Sequence, residues 1–136
     1  MAEPSLSLAR LARASATHVG FAFLAMGGWA LFANRAHGVG AIIPALAQGM
    51  LSGAITFVLK RVLERLAAQL TGWLAYVAPP LVTASTILAL LLAVHLAIGT
   101  PEIAATVAVP WSVSTLYAII YATVLARERR GRNRQP

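Results

Sequence analysis

The apolar run from Val39 to Leu59 sets the conditions under which this chain can fold. As a helix rising 1.5 Å per residue, a run of that length crosses a hydrocarbon core of roughly 30 Å. It is not uniformly apolar. Pro44, Gln48, Ser52, Thr56 and Lys60 recur every four residues and form a polar line that winds slowly round a helix, with Ala45, Gly49 and Gly53 as a small-residue line beside it. A helix carrying both lines needs neighbours on two faces. The run therefore predicts a helical bundle, with Gly49 and Gly53 as helix-packing positions.

The remaining sequence fits the same environment. Of its 136 residues 59% are hydrophobic and 11% charged, where soluble domains carry about a quarter charged residues. Asp and Cys are both absent, which removes disulfides, thiol nucleophiles, thiolate metal sites and any catalytic set that needs aspartate. The four Glu residues, Glu3, Glu64, Glu102 and Glu128, all fall at or beyond the ends of apolar runs. No carboxylate is left at membrane depth to couple protons or cations. Without a paired acid and base in the membrane, the chain reads as a non-enzyme with no cofactor. The formal charge of +7 does not point to nucleic acid, because ten of the eleven basic residues are Arg and they cluster next to apolar runs rather than among stacking aromatics.

The fold class expected is an all-α integral membrane protein, a four-transmembrane-helix bundle built from two antiparallel hairpins. Residues 1–13 form an N-terminal cytoplasmic or interfacial segment, and residues 14–126 form the membrane domain, with spans at about 14–33, 39–59, 80–98 and 103–126. Residues 127–136 form a basic cytoplasmic tail with too little apolar content to fold. In the first span Ser15, His18, Ala22, Ala25 and Trp29 share a face, with Gly27 and Gly28 beside it. Asn34 to Gly38 make a short turn, Pro79 and Pro80 start or kink the third helix, and Thr100, Pro101 and Glu102 give the fourth helix its N-cap, first residue and favourable negative charge. A shift of 66 residues aligns Thr17 with Thr83 and Pro44 with Pro110, as a parallel duplication of one hairpin would.

Two polar stripes are the candidate pathway or helix contacts. Gln48, Ser52 and Thr56 form the first, and Ser114, Tyr117 and Tyr121 belong to a second face that also takes in Thr106 and Pro110 within about 80° at 100° per residue. An unpaired amide at the depth of Gln48 costs a few kcal/mol, so the two stripes are expected to meet, placing Gln48 near Ser114 and Tyr117. Arg35, His37, His95 and Glu102 are candidates at the outer face, where the His and Glu residues do not have the spacing of a metal site. Lys60, Arg61, Arg65 and the Arg tail are expected to meet anionic lipid headgroups.

These features suggest a small multi-pass protein of the bacterial inner membrane. Its expected role is to transport or translocate a small or amphiphilic molecule through a polar path between spans two and four, as a homo-oligomer or beside a membrane-protein partner. The alternative is a non-catalytic structural or assembly subunit of a larger membrane complex. Orientation follows from charge: ten basic residues fall on one side and Arg35 alone on the other, which places both termini in the cytoplasm. Reporter fusions after Ala36 and Thr100 should report an external location and those after Gln69 and Arg134 a cytoplasmic one. An external Arg134 fusion would reverse the assignment.

Overall fold

A computed structural model describes residues 8–132; the remainder of the expected N-terminal segment and the end of the Arg tail, with Glu3 and Arg134, lie outside the described residues. Four helices, α1 (Leu8–Ala33), α2 (Ile42–Gln69), α3 (Leu74–Ala97) and α4 (Ile103–Arg132), are all long and apolar enough to cross a membrane. A short 3-10 segment, Arg35–Ala41, joins the first two and kinks at Gly38, where a φ of 56° favours glycine. Successive helices run antiparallel. α2 and α4 therefore run the same way and pack on each other at the centre, while α1 and α3 flank them on opposite sides.

The helices differ from their sequence-based limits in ways that have local causes. α1 runs unbroken from Leu8, so the described part of the expected N-terminal segment is continuous with the first span. α4 continues to Arg132, correcting the expectation of an unfolded tail from residue 127: Ala126 is buried and the Arg129 guanidinium donates to the Ala67 carbonyl at the end of α2. A cation there offsets the negative end of the α2 dipole and satisfies one of its orphan carbonyls. α3 begins at Leu74 rather than near residue 80, which puts Pro79 and Pro80 inside it. Their missing N–H groups free the carbonyls of Ala75 and Tyr76, and the Thr83 hydroxyl donates back to the carbonyl of Pro79 at 2.9 Å. Pro44 falls in the first turn of α2, where no hydrogen bond is lost, whereas Pro110 lies within α4 and frees the carbonyl of Thr106.

Apolar packing joins α2, α3 and α4 around Leu59, Leu63, Ile87, Leu91 and Val107. α1 is held differently. It meets α2 through Val19, Phe23 and Gly27, which oppose Gly53, Gly49 and Ala45; on the face shared by Ser15, His18 and Ala22, Ser15 and His18 are exposed. Both contact rows repeat every fourth residue, so each lies along one ridge of its helix. A Cβ added at Gly49 would lie 2.9 Å from the Phe23 ring, and one at Gly27 would lie 3.0 Å from the Ala45 carbonyl oxygen. Association here depends on close backbone approach, because lipid is as apolar as the side chains it would replace.

The adjacent glycines of α1 supply a built-in control. Gly27→Leu and Gly49→Leu should each destabilise the α1–α2 contact by about 1–3 kcal/mol, lowering the detergent unfolding midpoint. Gly28→Leu should leave it unchanged, since nothing lies within 4 Å of a Cβ there. Equal effects at Gly27 and Gly28 would contradict this packing.

Candidate functional site

The polar side chains converge at the end of the bundle that carries Arg35 alone, the Arg-poor end. Its first cluster is organised by the termination of α3. Gly99, at a φ of 67°, lets the chain reverse so that the Thr100 N–H bonds the His95 carbonyl at 2.9 Å and the Gly99 N–H bonds the Leu96 carbonyl at 3.2 Å. This paired closure is a Schellman motif. It brings the Thr100 hydroxyl 2.7 Å from Nδ1 of His95. The expected role of Thr100 as the N-cap of α4 is thereby corrected.

His95 is fully buried and its other nitrogen, Nε2, lies 2.9 Å from Oε1 of Gln48 on α2. The Gln48 amide nitrogen donates to Ser52 Oγ at 2.8 Å. With that amide orientation Oε1 accepts, so His95 carries its proton on Nε2 and receives the Thr100 hydroxyl proton at Nδ1. The result is a four-residue ladder, Thr100, His95, Gln48 and Ser52, satisfied by a neutral imidazole. Among the described residues, the His95–Gln48 contact is the one side-chain hydrogen bond linking α2 to α3.

Asn34 organises the second cluster. Its amide nitrogen donates to the Ala30 carbonyl at 2.9 Å and to Thr106 Oγ1 at 2.7 Å, while its Oδ1 accepts the Glu102 N–H at 3.0 Å. Thr106 in turn donates to the Glu102 carbonyl at 2.7 Å. One fully buried side chain thus closes the end of α1 and caps the start of α4. Trp29 reinforces the pair by donating Nε1 to the Ala105 carbonyl at 2.9 Å. Outside it, His37 Nε2 lies 3.1 Å from Glu102 Oε1, an exposed contact of small energetic weight. Arg35 donates to the Phe32 carbonyl and stacks 4.1 Å over its ring. Among the described residues no group of three His or Glu side chains is placed to hold a metal ion.

No hydrogen bond joins the two expected stripes. Gln48 is paired with His95 of α3, and the Ser114 hydroxyl donates instead to the Pro110 carbonyl of its own helix at 2.8 Å. Tyr117 stacks on Tyr121 with ring centres 5.5 Å apart, and the Tyr121 hydroxyl donates to Glu64 at 2.7 Å towards the opposite, Arg-rich end. Thr56 and Lys60 have wound out to the exposed surface. Asn34 was missed because its partners lie 68 and 72 residues away and no local pattern connects them.

The opening in the bundle lies between α2 and α3. An apolar groove of about 280 Å³ runs along their seam, lined by Leu51, Ile55, Val58 and Val62 on one side and by Val82, Thr86 and Leu90 on the other. The His95–Gln48 bond closes the seam one turn beyond Leu51 and Leu90. At the Arg-rich end a second, wider cleft of about 950 Å³ lies among Thr71, Trp73, Tyr76, Arg129, Arg130 and Arg132.

In class, the chain is an all-helical bundle with four candidate membrane-crossing helices, consistent with a multi-pass membrane protein. No protein-family model matches it, nor does any curated protein or solved structure.

Replacing Asn34 by Leu keeps the side-chain volume but leaves the Glu102 N–H and the Thr106 hydroxyl with lost partners. The expected cost is about 1–3 kcal/mol, read as a lower unfolding midpoint. His37→Gln, which removes only the exposed pair, should change the stability by less than about 1 kcal/mol.

Proposed function

We propose that this chain translocates an amphiphilic molecule across the bacterial inner membrane, with both termini cytoplasmic, and that the molecule uses the seam between α2 and α3. The observation that carries the reading is the lateral groove between those helices, apolar along its length and closed at one end by a single polar contact. An apolar tail can lie against Leu51, Val58 and Val62 without desolvating any polar group. A polar group moving towards the Arg-poor end meets Gln48 and His95 next. These two can exchange their mutual hydrogen bond for bonds to the passenger, so parting the seam leaves neither side chain unsatisfied. The path is thus assigned to the α2–α3 seam instead of a channel between spans two and four, because α2 and α4 are tied together by Tyr121–Glu64 and Arg129–Ala67.

A four-helix unit encloses little space, so the working form is a homo-oligomer or a complex with a partner. The exposed face of α1, with Phe21, Leu24 and the open Gly20 and Gly28, is the surface that favours the rival reading of a structural subunit. Vesicles separate the two. The chain has no cysteine, so Val58→Cys with Thr86→Cys places two thiols on opposite walls of the groove. Bridging them with a cleavable bifunctional thiol reagent should abolish transbilayer movement of a fluorescent phosphatidylglycerol, and cleavage of the bridge should restore it. Movement that is absent with the purified chain, or indifferent to the bridge, would overturn the translocation reading.

A further inference from the structure

The wide cleft at the Arg-rich end is lined by arginines that have no partner of opposite charge among the described residues. Arg129, Arg130 and Arg132 bring three guanidinium groups to a pocket whose remaining walls are Leu70 to Trp73, Ala75, Tyr76 and Ala126. Among the described residues the ion pairs are His37–Glu102 and Lys60–Glu64, and neither involves these arginines. Arg129 is committed to the Ala67 carbonyl. Arg130 and Arg132 remain to meet a ligand. Trp73 stands 70% exposed at the rim, as an aromatic side chain does at a membrane–water boundary.

The cleft and the apolar groove share a wall. At 100° per residue Ala75 and Tyr76 of the cleft fall within about 120° of Val82, Thr83 and Thr86 of the groove, so the two openings lie one above the other along the same face of α3. Cationic planar groups above an apolar slot match an anionic headgroup above an acyl chain. Arg pairs with phosphate oxygens through parallel N–H donors, and a lipid phosphate whose headgroup carries no cation of its own fits such a pair better than a zwitterion does.

We infer that the cleft and groove together hold one phosphate-bearing anionic lipid, its phosphate between Arg130 and Arg132 and its acyl chain between α2 and α3. This rests on reading the groove as the amphiphile's path and names the class of amphiphile. The site is on the cytoplasmic side if the Arg-rich end is, so it receives the lipid before the seam passes it on.

Lipid retention tests the site without any measurement of flux. The purified chain, taken from vesicles of phosphatidylglycerol and phosphatidylcholine, should retain phosphatidylglycerol selectively by native mass spectrometry. Arg130→Gln with Arg132→Gln should cut that retention roughly 30-fold, as the loss of two cations near the surface implies, with helicity and unfolding midpoint unchanged because Arg129 still anchors α2. Ala54→Trp, which fills the groove and keeps every arginine, should lower retention as well. Inorganic phosphate should not displace the lipid. Equal retention of the two lipids, retention unaffected by the double Arg variant, or displacement by inorganic phosphate with Ala54→Trp behaving as wild type would overturn the proposal. A chain that retains phosphatidylglycerol selectively but moves none across vesicles upholds this site and defeats the translocation reading alone.

Discussion

The hydrogen bond between His95 and Gln48 is the contact on which the layout of this bundle turns. A side-chain amide and an imidazole in apolar surroundings cannot be left unpaired without a penalty of several kcal/mol. Each is the other's solution. Their pairing fixes the rotation of α2 and α3 about their axes, which sends Ser52 inward, turns Thr56 outward and leaves the apolar residues between Leu51 and Val62 facing the seam. Because the groove contains no other hydrogen bond between these helices, the same contact that aligns them is what must break for them to part.

The two ends of the molecule are built on opposite principles. At the Arg-poor end, buried side chains close almost every donor and acceptor: Asn34 spans α1 and α4, His95 spans α2 and α3, and the one buried side-chain hydroxyl without a partner among the described residues, that of Thr115, lies elsewhere in α4. At the Arg-rich end the helices overrun the apolar spans, small residues such as Ala67, Ala75, Ala122 and Ala126 fill the interior, and guanidinium groups remain open to a ligand. A closed polar cap at one end and an open cationic cleft at the other give the bundle a direction. That asymmetry supports a role in handling an amphiphile more than a role as an inert spacer.

The α1–α2 contact adds a mechanical distinction. Gly27 and Gly49 bring those two backbones together without side-chain slack, whereas the α2–α3 seam is formed by large apolar side chains with a cavity between them. Close backbone packing resists separation, because any parting loses many dispersion contacts at once. A loosely filled seam loses few. The α1–α2 hairpin is therefore the more closely packed pair and the α2–α3 seam the looser one.

Much of the architecture was legible in the sequence because it follows from local rules. Four apolar runs of spanning length, separated by short turns with Gly38, Gly72 and Gly99, leave little choice but successive antiparallel helices, and the Gly49/Gly53 row already marked a close contact face on α2. The requirement that Gln48 find a partner was equally plain, since it comes from the cost of burying an amide. Which residue answers it was decided by tertiary structure. Ser114 and Tyr117 satisfied the same polar criterion, but the rotation of α4 gives Ser114 to its own backbone and turns Tyr121 to Glu64, while the Schellman turn at Gly99 holds His95 inward. Asn34 passed as a turn residue for the same reason: its partners at Glu102 and Thr106 become neighbours only when α1 and α4 pack side by side. Sequence determined which groups must be paired, because desolvation acts on each residue separately. The pairing itself depends on helix rotation and on sequence-distant neighbours, and those exist only once the bundle is assembled.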